Sequence, residues 1–201
     1  MFLKVILNKM SNYPNTRTEQ LWNKKVRQKV IQRFFTPRLS KELQEFKEPK
    51  NLPIRIEQGY YFYSDTGYGK TVYAAFLLLQ ELKYMYLHNI CETCIMIEVP
   101  ELFEKLKNSY NKSGESTEEL VQQYKTARVL VLDDFGVMKG NDWVLETLYL
   151  IINYRVEHLL PTVYTSNHSL NKIAEILGDN RITRRIKASC KVVQKKHFSK
   201  I

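Results

Sequence analysis

YYFYSDTGYGKT, residues 60 to 71, runs an aromatic strand directly into a near-complete phosphate-binding loop. The pattern for such a loop is a glycine, four free positions, then Gly-Lys-Ser/Thr. Gly69, Lys70 and Thr71 match, and Ser64 stands where the first glycine is expected. The candidate cofactor-binding segment is Ser64, Asp65, Thr66, Gly67, Tyr68, Gly69, Lys70 and Thr71. Its backbone N–H groups would curl around phosphates at the start of the next helix, whose dipole adds to the attraction. Lys70 would neutralise the β and γ phosphates, and the Thr71 hydroxyl would hold Mg²⁺. Ser64 is the departure, because a serine takes a positive φ only at a cost that glycine avoids. The plainer reading is an ordinary strand-turn-helix.

VLVLDDFG, residues 129 to 136, is the second carrier of chemistry. Four apolar residues ending in paired carboxylates predict a buried parallel strand that delivers Asp133 and Asp134 to its C-terminal edge. Ligands bind at that edge of an open α/β sheet. Asp133 would serve as a metal residue with Thr71, and Asp134 would orient or deprotonate an attacking water. A third strand, residues 162 to 165, ends in Ser166 and Asn167. The Asn167 amide could stand between the aspartates and the γ phosphate; alternatively Ser166, Asn167 and Ser169 are helix caps. Arg181 and Arg185 follow. Loop, DD strand, TSN strand and arginine pair occur in the order of parts found in AAA+ ATPases.

The chain resembles, more narrowly, bacterial replicative-helicase loaders of the DnaC and DnaI type and their transposition relatives of the IstB type. VPELFEKLKNSYNKSGESTEEL (residues 99–120), VLVLDDFG, WVLETLYLIINYR (143–155), LPTVYTSN (160–167) and LGDNRITRRI (177–186) carry the resemblance. It covers residues 60–193, about two thirds of the chain. It implies an α/β P-loop NTPase of the AAA+ class, with a five-stranded, mostly parallel sheet in the order 5-1-4-3-2 and helices on both faces. By the same resemblance Asn167 corresponds to the sensor 1 residue, Arg185 to an arginine finger offered to a neighbouring subunit, and Arg181 to its supporting arginine. Arg155 matches a recurrent Tyr-Arg element without an assigned role. The implied cofactors are ATP or ADP with Mg²⁺, and the implied activity is ATP hydrolysis. The implied partners are a replicative helicase or, in the IstB-type alternative, a transposase, together with single-stranded DNA and further copies of the chain. Tyr110, Lys112, Lys139 and Trp143 occupy positions where loaders touch the strand. Aromatics there would stack bases and lysines would meet phosphates; Trp143 reads equally well as a core residue at a helix start.

Two departures bear on activity. Aspartate at 134 replaces the glutamate of many AAA+ proteins and is one methylene shorter, so the base would sit about 1 Å farther from the water. A displacement of that size costs on the order of 10²-fold in rate, which predicts slow hydrolysis or, taken with Ser64 in place of glycine, an adaptor that binds a helicase without useful turnover. The chain ends at Ile201, soon after the last expected strand at residues 191–194, so no full lid domain is expected.

Charge is segregated along the chain. Residues 1–50 hold twelve Lys/Arg against four Glu, and residues 181–201 hold eight Lys/Arg and no acid, whereas 51–180 carry seventeen acids against eleven bases. Basic ends around an acidic nucleotide core suit nucleic-acid phosphates or an acidic partner, or are merely solvated. The division expected is a basic helical N-terminal extension and linker over residues 1–53 and an ATPase core over 54–201. In the extension, Thr16 and Glu19 form a capping box, and Leu21, Trp22, Val26, Val30 and Phe34 recur at helical spacing until Pro37 stops the run. A second helix is expected over 40–47, with Leu39, Leu43 and Phe46 on one side. The apolar stripe fits packing against the chain's own core or docking on a helicase. His88, Cys91 and Cys94 offer only three ligands at zinc spacing, which favours reduced structural cysteines. Three cysteines and no secretory signal or membrane span predict a cytoplasmic protein.

Overall fold

The computed structural model describes residues 21–110, 117–136 and 142–194. Five strands, β1 (Gly59–Tyr63), β2 (Cys94–Glu98), β3 (Val129–Asp133), β4 (Thr162–Ser166) and β5 (Cys190–Gln194), form one sheet. Every pair is parallel, and the order β2-β3-β4-β1-β5 is the expected 5-1-4-3-2 read from the other edge. Parallel strands need crossovers that cover both faces, and the VLVL run shows the consequence. Val129 and Val131 join the core on one face, while Leu130 and Leu132 join the core on the other.

The first face is covered by α1 (Lys24–Phe34), α2 (Pro37–Glu45) and α3 (Lys70–Leu87). The second is covered by α4 (Val99–Tyr110), α5 (Thr117–Thr126), α6 (Asp142–Glu157), α7 (Leu170–Leu177) and α8 (Arg181–Ser189). As expected, helices cover both faces. Helix α8 runs to Ser189 and passes directly into β5, with Ile182 and Ile186, one turn apart, both buried.

The N-terminal segment differs from expectation. The Thr16–Glu19 capping box lies outside the described residues. The described helix starts at Lys24, where Asn23 Oδ1 accepts from the backbone N of Lys25 and Val26 at 3.0 and 3.1 Å. Pro37 does not merely stop a helix: with φ already helical and no N–H to satisfy, it opens α2 behind the Thr36 cap. The second helix is therefore Pro37–Glu45 and not 40–47. Ile31, Phe35, Leu39 and Leu43 are buried in the same core as α3, and the Trp22 ring lies 5.5 Å from that of Tyr86. Of the apolar stripe, Trp22, Val30 and Phe34 are half-buried and pack against the chain's own core. Phe46 stays 44% exposed.

Candidate nucleotide-binding site

The loop between β1 and α3 owes its shape to its glycines. Gly67 and Gly69 take φ of 84° and 79°, whereas Ser64 is not among the residues with positive φ. The feared strain at Ser64 is absent because the left-handed steps fall elsewhere in the loop. Ser64 instead prolongs the sheet, its N donating to Ser166 O at 3.3 Å. Gly69 then leads into α3 without a side-chain cap, so the first-turn N–H groups have no capping side chain.

Lys70 is buried at the start of α3. Its ammonium donates to Ser64 O and Asp65 O at 2.9 Å each and to Asn167 Oδ1 at 2.8 Å, which uses all three of its protons. Burial pulls the Lys70 pKa down, and the charges of Asp134, Asp133 and Asp65 oppose that shift. Thr71 Oγ1 donates to Asp133 Oδ1 at 2.9 Å. Burial raises the Asp133 carboxyl, against the hydrogen bonds from Thr165 and Thr71. Thus β1–α3, β3 and the end of β4 set two hydrogen-bonded pairs, Lys70 with Asn167 and Thr71 with Asp133, around one cavity.

After β3 the chain turns sharply. Asp134 has φ of 53°, and its N donates to Thr165 Oγ1 at 3.1 Å. Phe135 drops back into the core with its ring edge-on to Tyr164, 5.3 Å between centroids. Gly136, at φ 100°, sits in a conformation that side-chain-bearing residues rarely adopt, and a Cβ there, 2.0 Å from Ile173 Cδ1, would also force the Ile173 side chain to shift. The DDFG sequence is thus an anchor and a turn around two cavity-facing carboxylates.

A cavity of about 450 Å³ opens over this group, lined by Thr66, Gly67, Gly69, Lys70 and Thr71 with Asp133, Asp134 and Asn167. Two of its walls were not singled out in the sequence. Glu98, paired in register with Asp133, and Glu101 add carboxylates on one side. Phe34, Phe35, Arg38 and Phe46 supply the other, so the α1–α2 corner is part of the site. Neither signal was readable: Glu98 looks like any strand end, and nothing in residues 34–46 specifies where that corner docks.

The donor set fits a hard cation beside a triphosphate. A hydroxyl and a carboxylate meet at one point, and among the described residues no group of three His, Cys, Asp or Glu could complete a metal shell. Phosphate oxygens and water would have to do so, as is usual for Mg²⁺.

The remaining candidates lie elsewhere. Arg181 is exposed, binds Asp179 at 2.6 Å and Glu146 at 3.4 Å, and stacks 4.9 Å above Tyr149. Arg185, one turn on, is half-exposed and has no ion pair among the described residues. Neither lines the chain's own cavity. Trp143 is 40% exposed at the start of α6, not a sealed core residue. Lys112, Lys139 and the Tyr110 side chain lie outside the described residues. Cys94 is buried, which pushes its thiol up to about 12, and Cys91 is exposed.

Comparison with known proteins agrees with this architecture. The replicative helicase loader DnaI of Bacillus subtilis (strain 168) is 32% identical over 119 residues, covering 58% of this chain and 35% of that protein. The replicative helicase loader DnaC of Escherichia coli (strain K12) is 23% identical over 93 residues, covering 46% of this chain and 38% of that one. The chain therefore spans little more than a third of these relatives' length. Among solved structures, that of DnaI matches with TM-score 0.55 and 24% identity over 95% of this chain and 93% of that chain. The DnaC helicase loader matches with TM-score 0.56 and 23% identity over 79% of this chain and 86% of that chain. At these identities the structures speak for the fold, an α/β P-loop NTPase of the AAA+ type. The model of the IstB-like ATP binding protein family matches residues 54–199, and the chain belongs to that family.

Proposed function

We propose that this protein is an ATP-dependent loader of a ring-shaped replicative helicase, with single-stranded DNA as a second ligand and slow hydrolysis by the isolated chain. The observation that carries this reading is the convergence of Lys70, Thr71, Asp133 and Asn167 at the C-terminal edge of the sheet. The names of the DnaI and DnaC relatives, replicative helicase loaders, direct the choice of partner.

In this mechanism Lys70 exchanges its carbonyl and amide contacts for phosphate oxygens, while the loop N–H groups hold the remaining charge. Thr71 and Asp133 would hold Mg²⁺, which supplies charge neutralisation between the phosphates. Asp134 takes a proton from the attacking water, and Asn167, freed from Lys70, orients that water. Asp134 is a short base on a left-handed turn, which supports slow turnover. Tyr110, Lys112, Lys139 and Trp143 are the proposed DNA contacts.

The test pairs two substitutions in a binding and turnover assay with single-stranded DNA and a replicative helicase. Lys70→Ala should abolish tight binding of a fluorescent ATP analogue. Asp134→Asn should bind within about two-fold of wild type and lose turnover by on the order of 10²-fold or more, the scale of general-base catalysis. Wild-type binding by Lys70→Ala would refute the nucleotide site, and unchanged turnover in Asp134→Asn would remove Asp134 as the base.

A further inference from the structure

We infer that Thr165 is a positioning residue for both aspartates at the end of β3, an inference that rests on the nucleotide-site reading above. Thr165 is fully buried on β4, two residues before Asn167. A threonine hydroxyl has one proton to give and lone pairs to receive, and this one uses both on consecutive residues. It donates to Asp133 Oδ1 and accepts from the Asp134 backbone N at 3.1 Å.

The position explains why a side chain is needed. Backbone pairing between β3 and β4 runs through Leu130↔Thr162, Val131↔Val163 and Leu132↔Tyr164, and no further. Beyond it Asp134 turns into the left-handed region at φ 53°, where a non-glycine residue is unfavourable unless its surroundings hold it. Thr165 continues the attachment past the end of the ladder. Its carbonyl accepts from Phe135 N at 2.8 Å, and its neighbour Ser166 donates through Oγ to Phe135 O at 2.6 Å. The two aspartates and Asn167 are therefore bound to one strand end.

Thr71 is the other hydroxyl on Asp133 Oδ1, but it belongs to the loop helix and lines the cavity. Thr165 does not line it. Ligand exchange in the cavity reaches Thr71 and leaves Thr165 in place, so Thr165 is the fixed partner that keeps the Asp133 carboxylate aimed at Thr71. A group outside the ligand that orients a ligating carboxylate typically changes metal affinity or activity by about 10- to 100-fold.

The experiment uses the whole chain and reads metal dependence separately from nucleotide binding. Thr165→Val keeps the branched shape and removes both hydrogen bonds, Thr165→Ala removes them with less bulk, and Thr165→Ser keeps the hydroxyl. A fluorescent ATP analogue is titrated onto each in EDTA and at stepped Mg²⁺ concentrations, with Lys70→Ala as control. Thr165→Val should bind in EDTA within about two-fold of wild type and need roughly 10- to 100-fold more Mg²⁺ for the metal-linked gain in affinity. Thr165→Ser should restore the wild-type Mg²⁺ response. If Thr165→Val does not fold, Thr165→Ala carries the same expectation, and failure of both to fold while Thr165→Ser behaves as wild type would overturn the inference by making the role structural. Equal weakening in EDTA and in Mg²⁺, an unchanged Mg²⁺ response, or no rescue by serine would also overturn it. Wild-type binding by Lys70→Ala would instead refute the nucleotide site itself, so the two failures are distinguishable.

Discussion

Among the described residues Arg155 is the largest side chain wholly out of water, and it makes no ion pair with any of them. Its guanidinium instead serves main-chain oxygens. Nη1 donates to the carbonyls of Tyr124, Lys125 and Ala127 at 3.0, 3.1 and 2.6 Å, and Nη2 to Pro161 O at 2.7 Å. Nε donates to Thr162 Oγ1 at 2.8 Å. Burial lowers its pKa to about 10, so it remains a cation at neutral pH. The charge sits at the C-terminus of α5, the negative end of that helix dipole, and ties the starts of β3 and β4 together. Replacing it with methionine of similar length would strand several buried carbonyls without donors. Arg155→Met should accordingly cost about 3 kcal/mol or more, since each buried carbonyl left without a donor costs about 1 to 3 kcal/mol. Urea unfolding followed by circular dichroism measures this, and a loss below about 1 kcal/mol would contradict the clamp. From sequence Arg155 was visible only as part of a Tyr-Arg element, because three of the carbonyls it serves are 28 to 31 residues upstream and have no signature of their own. Thr165 was missed for a related reason: a β-branched residue in a strand is what strand propensity already expects, so its hydroxyl drew no notice.

At the scale of elements, legibility followed burial. β3 could be read from four apolar residues because a parallel strand covered on both faces has no polar side to show. The α1–α2 pair could not be placed, since an amphipathic helix presents the same stripe whether its partner is its own core or another protein. Its attachment is nonetheless extensive. Leu43 is 1% exposed and lies in one cluster with Ile31, Leu39 and residues of α3. Leu43→Ala should therefore destabilise the whole core by about 2 to 5 kcal/mol, seen as a single shifted unfolding transition. An unchanged midpoint, or a separate early transition for the N-terminal segment, would show α1–α2 to be an independent appendage. Because Phe34, Arg38 and Phe46 wall the nucleotide cavity, any movement of this pair by a bound partner would alter the same space.

Over the whole molecule two of the three arginines of α8, Arg181 and Arg185, differ in environment. Arg181 is satisfied within its own chain by Asp179, Glu146 and Tyr149, while Arg185 is half-exposed with no ion pair among the described residues. Both lie away from the cavity of the chain that carries them. An arginine in that position is useful to phosphate chemistry only if a second copy brings its own loop against α8. The self-assembly that the family resemblance implies would assign Lys70 and Arg185 to different halves of a composite site. An arginine supplied in this way is worth about 10³ to 10⁵ in rate in well-studied phosphoryl-transfer systems, so the dilute chain should be a poor ATPase. Arg185→Ala should bind the ATP analogue like wild type and fail to accelerate with helicase or DNA. Lys70→Ala should bind none, yet still offer its arginine. Mixing the two inactive variants should recover part of the wild-type rate, since interfaces that pair a Lys70-bearing loop with an Arg185-bearing helix are rebuilt at random. ATP hydrolysis measured across mixing ratios would pass through a maximum between the pure variants. A flat zero, or full activity of dilute Arg185→Ala, would mean that the copies do not share a site.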